Sequence, residues 1–236
     1  MLLRHRNQHN RNFIPCKPAN VAILRILKKA VVIIFLILLI DQVVKFLVKT
    51  NLHMGESQSI FGNWALIQFT ENEGMAFGMK LGGSFGKLFL SLFRIIAVGI
   101  IGWWLYKITK EKNASSGLII SIALILAGAL GNILDSAFYG LIFNESSYMQ
   151  VAVLFPPEGG YAGFLHGKVV DMFYFPVIQT HYPSWFPFYA GEEFIFFRPI
   201  FNVADSAITV GVFMLIIFQK KFFQKKDNPE SVKTVE

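Results

Sequence analysis

The hexapeptide FNVADS at residues 201–206 leads directly into an apolar run, ITVGVFMLIIF, at residues 208–218. The run is long enough to enter a bilayer, so Asn202 and Asp205 stand at the mouth of a predicted membrane span. An ionisable residue at this depth is energetically costly and is by default a candidate functional residue. A second acid, Asp171, ends the upstream segment KVVD and is a candidate partner for Asp205. This stretch therefore predicts a transmembrane helix that begins at a functional carboxylate.

The composition of the whole chain is that of an integral membrane protein. Of its 236 residues, 54% are hydrophobic and 16% are charged, and the mean hydropathy is +0.50. Soluble domains average about 45–50% apolar and about 25% charged residues. Cys16 is the single cysteine, so an intramolecular disulfide is excluded.

Three further apolar runs have the length of roughly twenty residues that a bilayer core requires. They lie at about residues 30–48, 88–108 and 117–143. The first is not followed by a small-x-small cleavage pattern, which argues against a removable signal peptide. The third contains small residues that favour close helix packing, namely Ala127, Gly128, Ala129 and Gly131. With the fourth run at about 200–218, the chain is predicted to be an all-α membrane protein with four transmembrane helices.

Two long connections, at residues 51–86 and 144–199, separate these spans. Residues 64–70 are aromatic and β-branched and predict a short strand, followed by a turn at 71–78. The second connection is rich in aromatic residues and proline. We expect its part at 173–199 to lie at the membrane interface as a lid or rim, because amphipathic aromatic side chains prefer that depth. A passive loop is the alternative.

The charge distribution predicts the orientation of the four spans. Most Lys and Arg residues lie in the segment 1–29, in the link at 107–112 and in the tail at 220–236. Under the positive-inside rule, both termini are therefore cytoplasmic and both long loops lie outside. This N-in/C-in arrangement divides the chain into a basic N-terminal segment, a transmembrane domain at 30–219 and a basic tail.

The predicted topology brings polar residues from separate segments to one depth near the outer surface. Asp41 and Lys45 are four residues apart, so they share a helix face and can pair. Structural polar residues scattered at random would not cluster in this way, and we therefore predict a functional site. Its candidate members are Asp41, Lys45, Asn132, Asp135, Asp171, Asn202 and Asp205.

Several classes of chemistry lack their sequence patterns. The histidines of the outer loops have no partner at metal-ligand spacing, so we expect no metal. There is no Gly-x-Ser-x-Gly elbow, no P-loop and no dinucleotide glycine pattern, so neither a serine nucleophile nor a nucleotide cofactor is expected. The basic residues flank the membrane, which argues against nucleic-acid binding.

Carboxylate chemistry remains. Two close carboxylates cannot both ionise cheaply, so one holds a proton while the other is a base, and such a pair can activate water for peptide hydrolysis. The residues alone leave alternatives open. Asp205 also fits the N-cap of the fourth helix, Asp171 also fits a solvated loop acid, and intramembrane acids also serve proton relays and transporters.

Five motifs nevertheless occur in the order found in one family, and together the chain resembles the lipoprotein signal peptidases (signal peptidase II), bacterial aspartic endopeptidases. The motifs run from residue 41 to residue 206: Asp41-Gln-x-x-Lys45, Asn72-x-Gly74-x-Ala76-Phe77, Gly131-Asn132-x-x-Asp135, Val169-Val170-Asp171 and Phe201-Asn202-x-Ala204-Asp205-Ser206.

The resemblance implies that Asp171 and Asp205 are the catalytic pair. It implies supporting roles for Asp41, Lys45, Asn72, Gly74, Asn132, Asp135, Asn202 and Ala204. The implied fold is four transmembrane helices with a small extracytoplasmic β-cradle. The implied substrate is a prolipoprotein cut just before its diacylglyceryl-modified cysteine, in the bacterial inner membrane near its outer face. A globomycin-like peptide is the implied inhibitor, and we expect a monomer.

The chain departs from the family pattern at two positions of these motifs. Ser136 stands where family members usually have Arg, and Met172 stands in place of the usual Phe. Arg94 or Arg198 is a candidate to replace the missing guanidinium. The segments 144–167 and 173–199 resemble insertions.

Two other functional classes fit the composition. A transporter or proton-coupled channel would use the same acids as a relay, but it predicts internal repeats or broken helices, which the sequence lacks. A presenilin-type protease expects a Gly-x-Gly-Asp motif deep in a span, which is also absent from the sequence.

Overall fold

Four long helices dominate the computed structural model, which describes residues 19–73, 83–111 and 114–223. They are α1 (Ala19–Asn51), α2 (Gly83–Thr109), α3 (Ser116–Leu134) and α5 (Val203–Phe223). The helix of α3 continues through a π-helical turn, Asp135–Tyr139, into the short α4, Gly140–Ile142. Within these described ranges, four helical segments are long and apolar enough to cross a bilayer: residues 24–51, 85–109, 116–142 and 203–222. The four predicted spans are therefore confirmed.

Helix α3 is the central helix of the bundle. In its most apolar stretch 56% of residues are buried, against 11–17% in the other three spans. Gly128 permits this packing, because a Cβ atom there would lie 2.2 Å from the carbonyl oxygen of Ala204 on α5. The other helices expose large apolar side chains such as Phe35, Phe93 and Phe213, as expected of surfaces that face lipid.

A four-stranded antiparallel sheet lies at the end of the bundle where α1 and α4 end and where α2 and α5 begin. Its order is β1-β2-β3-β6, and its strands are β1 (Ser57–Phe61), β2 (Ala65–Asn72), β3 (Val169–Tyr174) and β6 (Ile200–Phe201). A separate two-stranded hairpin is formed by β4 (Ile178–His181) and β5 (Glu193–Phe196). The chain is thus mostly helical with a small antiparallel sheet.

The sheet is joined to the helices by an apolar core of fully or nearly fully buried side chains. It includes Val48 of α1, Phe69 of β2, Tyr139 of the π-helical turn, Met172 of β3, and Phe143, which directly follows α4. A second core, around Ile122 and Ala123 of α3, fills the bundle toward its other end. The sheet is therefore held rigidly against the ends of the helices.

Several sequence-based boundaries need correction. The strand predicted at 64–70 exists but continues to Asn72, so the turn predicted from residue 71 is wrong in its first two residues. The connection at 144–199 contains three strands, β3, β4 and β5, in addition to loops. Asp171 lies on β3 and is 3% exposed, so it is neither a loop residue nor solvated. Residues 200–201 pair as a strand before α5 begins.

Candidate active site

The start of α5 is closed by a reciprocal pair of hydrogen bonds between Asn202 and Asp205. The Asp205 amide donates to Oδ1 of Asn202 at 2.9 Å, and the Asn202 amide donates to a carboxylate oxygen of Asp205 at 3.4 Å. This is the geometry of a capping box. The N-cap is therefore Asn202, and the alternative that Asp205 is the cap is wrong. Asp205 is the third residue of the helix and remains partly exposed.

A second acid, Asp41, also contacts this helix end. The backbone amide of Ala204 donates to Oδ1 of Asp41 at 2.9 Å, although the two residues are 163 positions apart. Asp41 thus satisfies an amide that has no acceptor inside the helix, and its negative charge lies at the positive end of the helix dipole. Ala204 itself is fully buried, which leaves little room for a larger side chain there.

Asp171 meets this helix end from the sheet. Asn202 donates its side-chain amide to Oδ1 of Asp171 at 2.7 Å, and Asn72 of β2 donates to Oδ2 at 3.4 Å. Burial, and next the negative charge of the nearby Asp205, raise the pKa of Asp171 to about 7. One asparagine, Asn202, therefore contacts both candidate catalytic acids.

Asn132 of α3 connects Asp205 to the buried charges behind it. Its side-chain amide donates to Oδ1 of Asp205 at 2.8 Å. Its carbonyl oxygen accepts from Lys45 at 3.0 Å and from Asn202 at 3.2 Å. These partners suit only one orientation of the Asn132 amide, because its oxygen accepts and its nitrogen donates. The nitrogen therefore faces Asp205 and holds its carboxylate in one direction.

Lys45 compensates the charge of the two inner acids of the site. Its ammonium lies 2.8 Å from Asp41 and 2.8 Å from Asp135, and all three side chains are at most 1% exposed. With Asn132, the ammonium has three acceptors for its three protons. Removing one member of such a buried group strongly destabilises the fold, because the remaining charges lose their compensation.

Asp135 links this group to the strand that carries Asp171. It opens the π-helical turn, and the backbone amide of Val170 donates to its Oδ2 at 3.3 Å. π-Helical turns occur frequently at functional sites, because the extra residue redirects the side chains of a helix. Gly131, one turn earlier, is equally constrained, since a Cβ atom there would lie 2.6 Å from Oδ2 of Asp41.

The structure thus brings together every predicted site residue that it describes. Gly74, with the rest of the segment 74–82, lies outside the described residues. Two site residues were missed, although both carry a sequence signal. Gln42 lies inside the first motif and donates to Asp135 at 2.9 Å. Lys87 is a cation near the start of an apolar helix, and it donates to the Glu73 carbonyl at 2.8 Å.

Lys87 also contacts Ser136, the residue that stands where family members usually have Arg. Its ammonium donates to Oγ of Ser136 at 3.3 Å. Arg198 does not replace the missing guanidinium, since it is exposed in the segment that follows β5 and donates to the Glu193 carbonyl. Arg94 of α2 is within electrostatic reach of Asp205, Asp135 and Asp171. In the described part of the chain, no three His, Cys, Asp or Glu residues form a group that could hold a metal ion.

Comparison with known proteins identifies the family of the chain. The sequence profile of a family described as Signal peptidase (SPase) II matches residues 33–221. The chain belongs to the signal peptidase II family. It is 48% identical to the lipoprotein signal peptidase of Porphyromonas gingivalis (strain ATCC 33277) over 190 residues, which cover 80% of this chain and 82% of the relative. The corresponding protein of Amoebophilus asiaticus is 36% identical over 195 residues, 82% of this chain and 78% of the relative.

Solved structures show the same fold. A bacterial membrane enzyme determined by the in meso method at 1.9 Å superimposes with a TM-score of 0.54 at 24% identity, covering 85% of this chain and 95% of the other. As a member of the signal peptidase II family, the chain is an enzyme, and the resemblance stated from its five motifs is confirmed. With four membrane-spanning helices, it is a multi-pass bacterial membrane protein.

Proposed function

We propose that this signal peptidase II cleaves prolipoproteins just before the diacylglyceryl-modified cysteine, with Asp171 and Asp205 as the catalytic pair. The observation that carries the proposal is the shared contact with Asn202, which donates its side-chain amide to the Asp171 carboxyl group and its backbone amide to the Asp205 carboxyl group. Curated relatives at 48% and 36% identity are named lipoprotein signal peptidases, which supports the substrate class.

The different surroundings of the two acids support a division of roles. Asp171 is buried and its pKa is raised to about 7, so near neutral pH a substantial fraction of the enzyme holds a proton on Asp171 that it can donate to the carbonyl oxygen of the scissile bond. Asp205 is partly exposed and accepts a hydrogen bond from Asn132. It serves as the base that removes a proton from the attacking water.

The reaction then proceeds without a covalent enzyme intermediate. The water oxygen bonds to the carbonyl carbon, and its proton passes to Asp205. The tetrahedral intermediate carries the proton of Asp171 on its former carbonyl oxygen. Its collapse breaks the C–N bond, the proton on Asp205 passes to the leaving nitrogen, and the hydroxyl proton returns to Asp171. Asp171 is then protonated and Asp205 ionised again, as before the reaction.

The supporting residues fix the positions of this pair. Asn72 and Asn202 hold Asp171, and Asn132 holds Asp205. Asp41, Lys45 and Asp135 form the buried charged group that joins α1, α3 and α5 behind the two acids. We assign a supporting role to Gly74 by its motif alone.

We further propose that the site faces the outer surface of the bacterial inner membrane, with both termini in the cytoplasm. Basic residues concentrate in the segments 1–29, 107–112 and 220–236, which supports this orientation. A site at the end of the bundle leaves acyl chains in lipid while the peptide reaches the acids. A globomycin-like peptide would compete with the substrate for this site, and a single chain supplies all the proposed site residues.

The test is cleavage of a synthetic precursor by the purified enzyme in lipid nanodiscs, with products identified by mass spectrometry. We expect a diacylglyceryl-modified precursor to yield one cut immediately before the modified cysteine, and the same peptide without lipid to be cleaved far more slowly. Cleavage at another bond, or equal rates for both peptides, would contradict the substrate assignment.

A further inference from the structure

A second buried charged group lies beside that of Asp41, Lys45 and Asp135, on the same face of α1. Asp41, Lys45 and Lys49 are spaced four residues apart and are all fully buried. Whereas Lys45 pairs with acids of the helices, Lys49 pairs with Glu71 of β2. Its ammonium also donates to Oγ of Ser146 at 2.8 Å.

The surroundings of Lys49 are otherwise aromatic. The rings of Phe143, Tyr161 and Phe69 lie 5.1, 5.3 and 5.9 Å from its ammonium. An ammonium enclosed in this way is shielded from water and stabilised by the ring faces. The pair with Glu71 is therefore well removed from water.

Glu71 is buried in the same surroundings as Lys49. Its side chain is 2% exposed, and Ser146 donates to the same carboxylate oxygen that Lys49 contacts. Among the described residues, the other oxygen has no hydrogen-bond donor, and the ammonium of Lys168 lies 3.8 Å from it. Lys168 in turn pairs with the exposed Glu145 at 3.0 Å. Loss of Lys49 would leave a poorly compensated buried carboxylate.

The position of Glu71 within β2 connects this pair to the catalytic acids. Glu71 is opposite Val170 and Asn72 is opposite Val169 in the antiparallel register. Successive side chains of a strand point to opposite faces of the sheet. The last two residues of β2 therefore reach in opposite directions, Glu71 to Lys49 and Asn72 to Asp171 at 3.4 Å.

We propose that Glu71, clamped by Lys49, is a positioning residue that fixes the end of β2 so that Asn72 stays in contact with Asp171. Neither Glu71 nor Lys49 contacts the substrate in this account. The inference rests on the proposed function, because it gives Asn72 and Asp171 their catalytic meaning.

The test compares Glu71→Ala, Glu71→Gln, Lys49→Met and Asn72→Ala in the nanodisc cleavage assay, together with a Glu71→Ala/Asn72→Ala double variant. Glu158→Ala, a change at an exposed acid, is the matched control. Each variant is assayed for kcat, KM, the pH profile of kcat and thermal stability, with rates expressed per folded enzyme.

We expect Glu71→Ala and Lys49→Met to lower kcat about tenfold, the effect of a loss of about one well-placed hydrogen bond. The Asn72 hydrogen bond lowers the pKa of Asp171, so its loss should also move the basic limb of the pH profile to higher pH. Glu71→Gln keeps an acceptor for Lys49 and should retain more activity. The double variant should be no slower than Asn72→Ala, because both changes remove the same contact.

Two results would overturn the proposal. One is a Glu71→Ala enzyme that is less stable but has an unchanged kcat and pH profile, which would indicate a structural role alone. The other is additivity of the two single losses in the double variant. If Glu71→Ala does not fold, the same criteria apply to Lys49→Met and to its double variant with Asn72→Ala. An Asp171→Asn enzyme that stays active would instead refute the proposed function, so the two failures are distinguishable.

Discussion

Replacing Asp171 with Asn should change how the stability of the fold depends on pH. An aspartate in an unfolded chain titrates near 3.8, whereas burial and the charge of Asp205 raise the pKa of Asp171 to about 7. Between these two values the folded protein keeps a proton that the unfolded chain releases. The free energy of unfolding of the parent therefore falls as the pH rises through this window, and the decline ends above about pH 7.

The magnitude follows from the width of the window. Each pH unit inside it costs about 1.4 kcal/mol, so raising the pH from 5 to 8 should cost the parent about 3 kcal/mol from this one group. The Asp171→Asn side chain does not titrate and lacks this loss. Its amide has one acceptor oxygen for the two donors, Asn72 and Asn202, which costs about 1 kcal/mol at every pH.

The assay is reversible unfolding in mixed micelles at several values between pH 5 and pH 8, with the exposed-site variant Glu158→Gln as control. The stability of Asp171→Asn relative to the parent should increase by about 3 kcal/mol from pH 5 to pH 8. The Asp205→Asn variant should lose less stability than the parent between pH 5 and pH 8, because it lacks a charge that raises the pKa of Asp171. Equal pH dependence in the parent and in Asp171→Asn would refute the reasoning.

Three further predictions concern the parts of the molecule around the pair. Lys45→Met leaves Asp41 and Asp135 buried without their cation. It should lower the free energy of unfolding by about 3–5 kcal/mol in the same unfolding assay, and a loss below about 1 kcal/mol would contradict the ion-pair geometry. Gly128→Leu should separate α3 from α5 and reduce both thermal stability and cleavage, whereas Gly99→Leu, where an added Cβ meets open space, should be close to the parent. Trp185 is 77% exposed at the tip of the hairpin between β4 and β5, and we expect its fluorescence to be quenched by brominated lipid in a variant whose other three tryptophans are Phe. Quenching by aqueous acrylamide alone would contradict the interfacial position.

The helices could be predicted from the sequence because their signal is local. Each span is an apolar run of bilayer length, and small residues such as Gly128 mark where two helices approach closely. The strands that surround Asp171 were harder to predict. The segment 144–199 is irregular in hydrophobicity, and β3 and β6 are short strands whose pairing partners lie far away in sequence.

The membership of the site was predictable from ordered motifs, whereas its geometry was not. The sequence left open whether Asp205 caps α5, and the capping box shows that Asn202 does so. The burial of Lys49 was not predicted, although it extends the four-residue spacing of Asp41 and Lys45, because its partner Glu71 lies in another element. Contacts between distant segments depend on tertiary packing, which no local pattern encodes.

The most direct test of the central claim is single-turnover cleavage of a diacylglyceryl-modified precursor by the parent, Asp171→Asn, Asp205→Asn and the double variant. All four should be present as folded protein in the membrane. Because the two acids act as a unit, each single variant should lose at least about a thousandfold in rate, and the double variant should be no slower than either. Substantial activity in either single variant, in enzyme shown to be free of parent protein, would contradict the account.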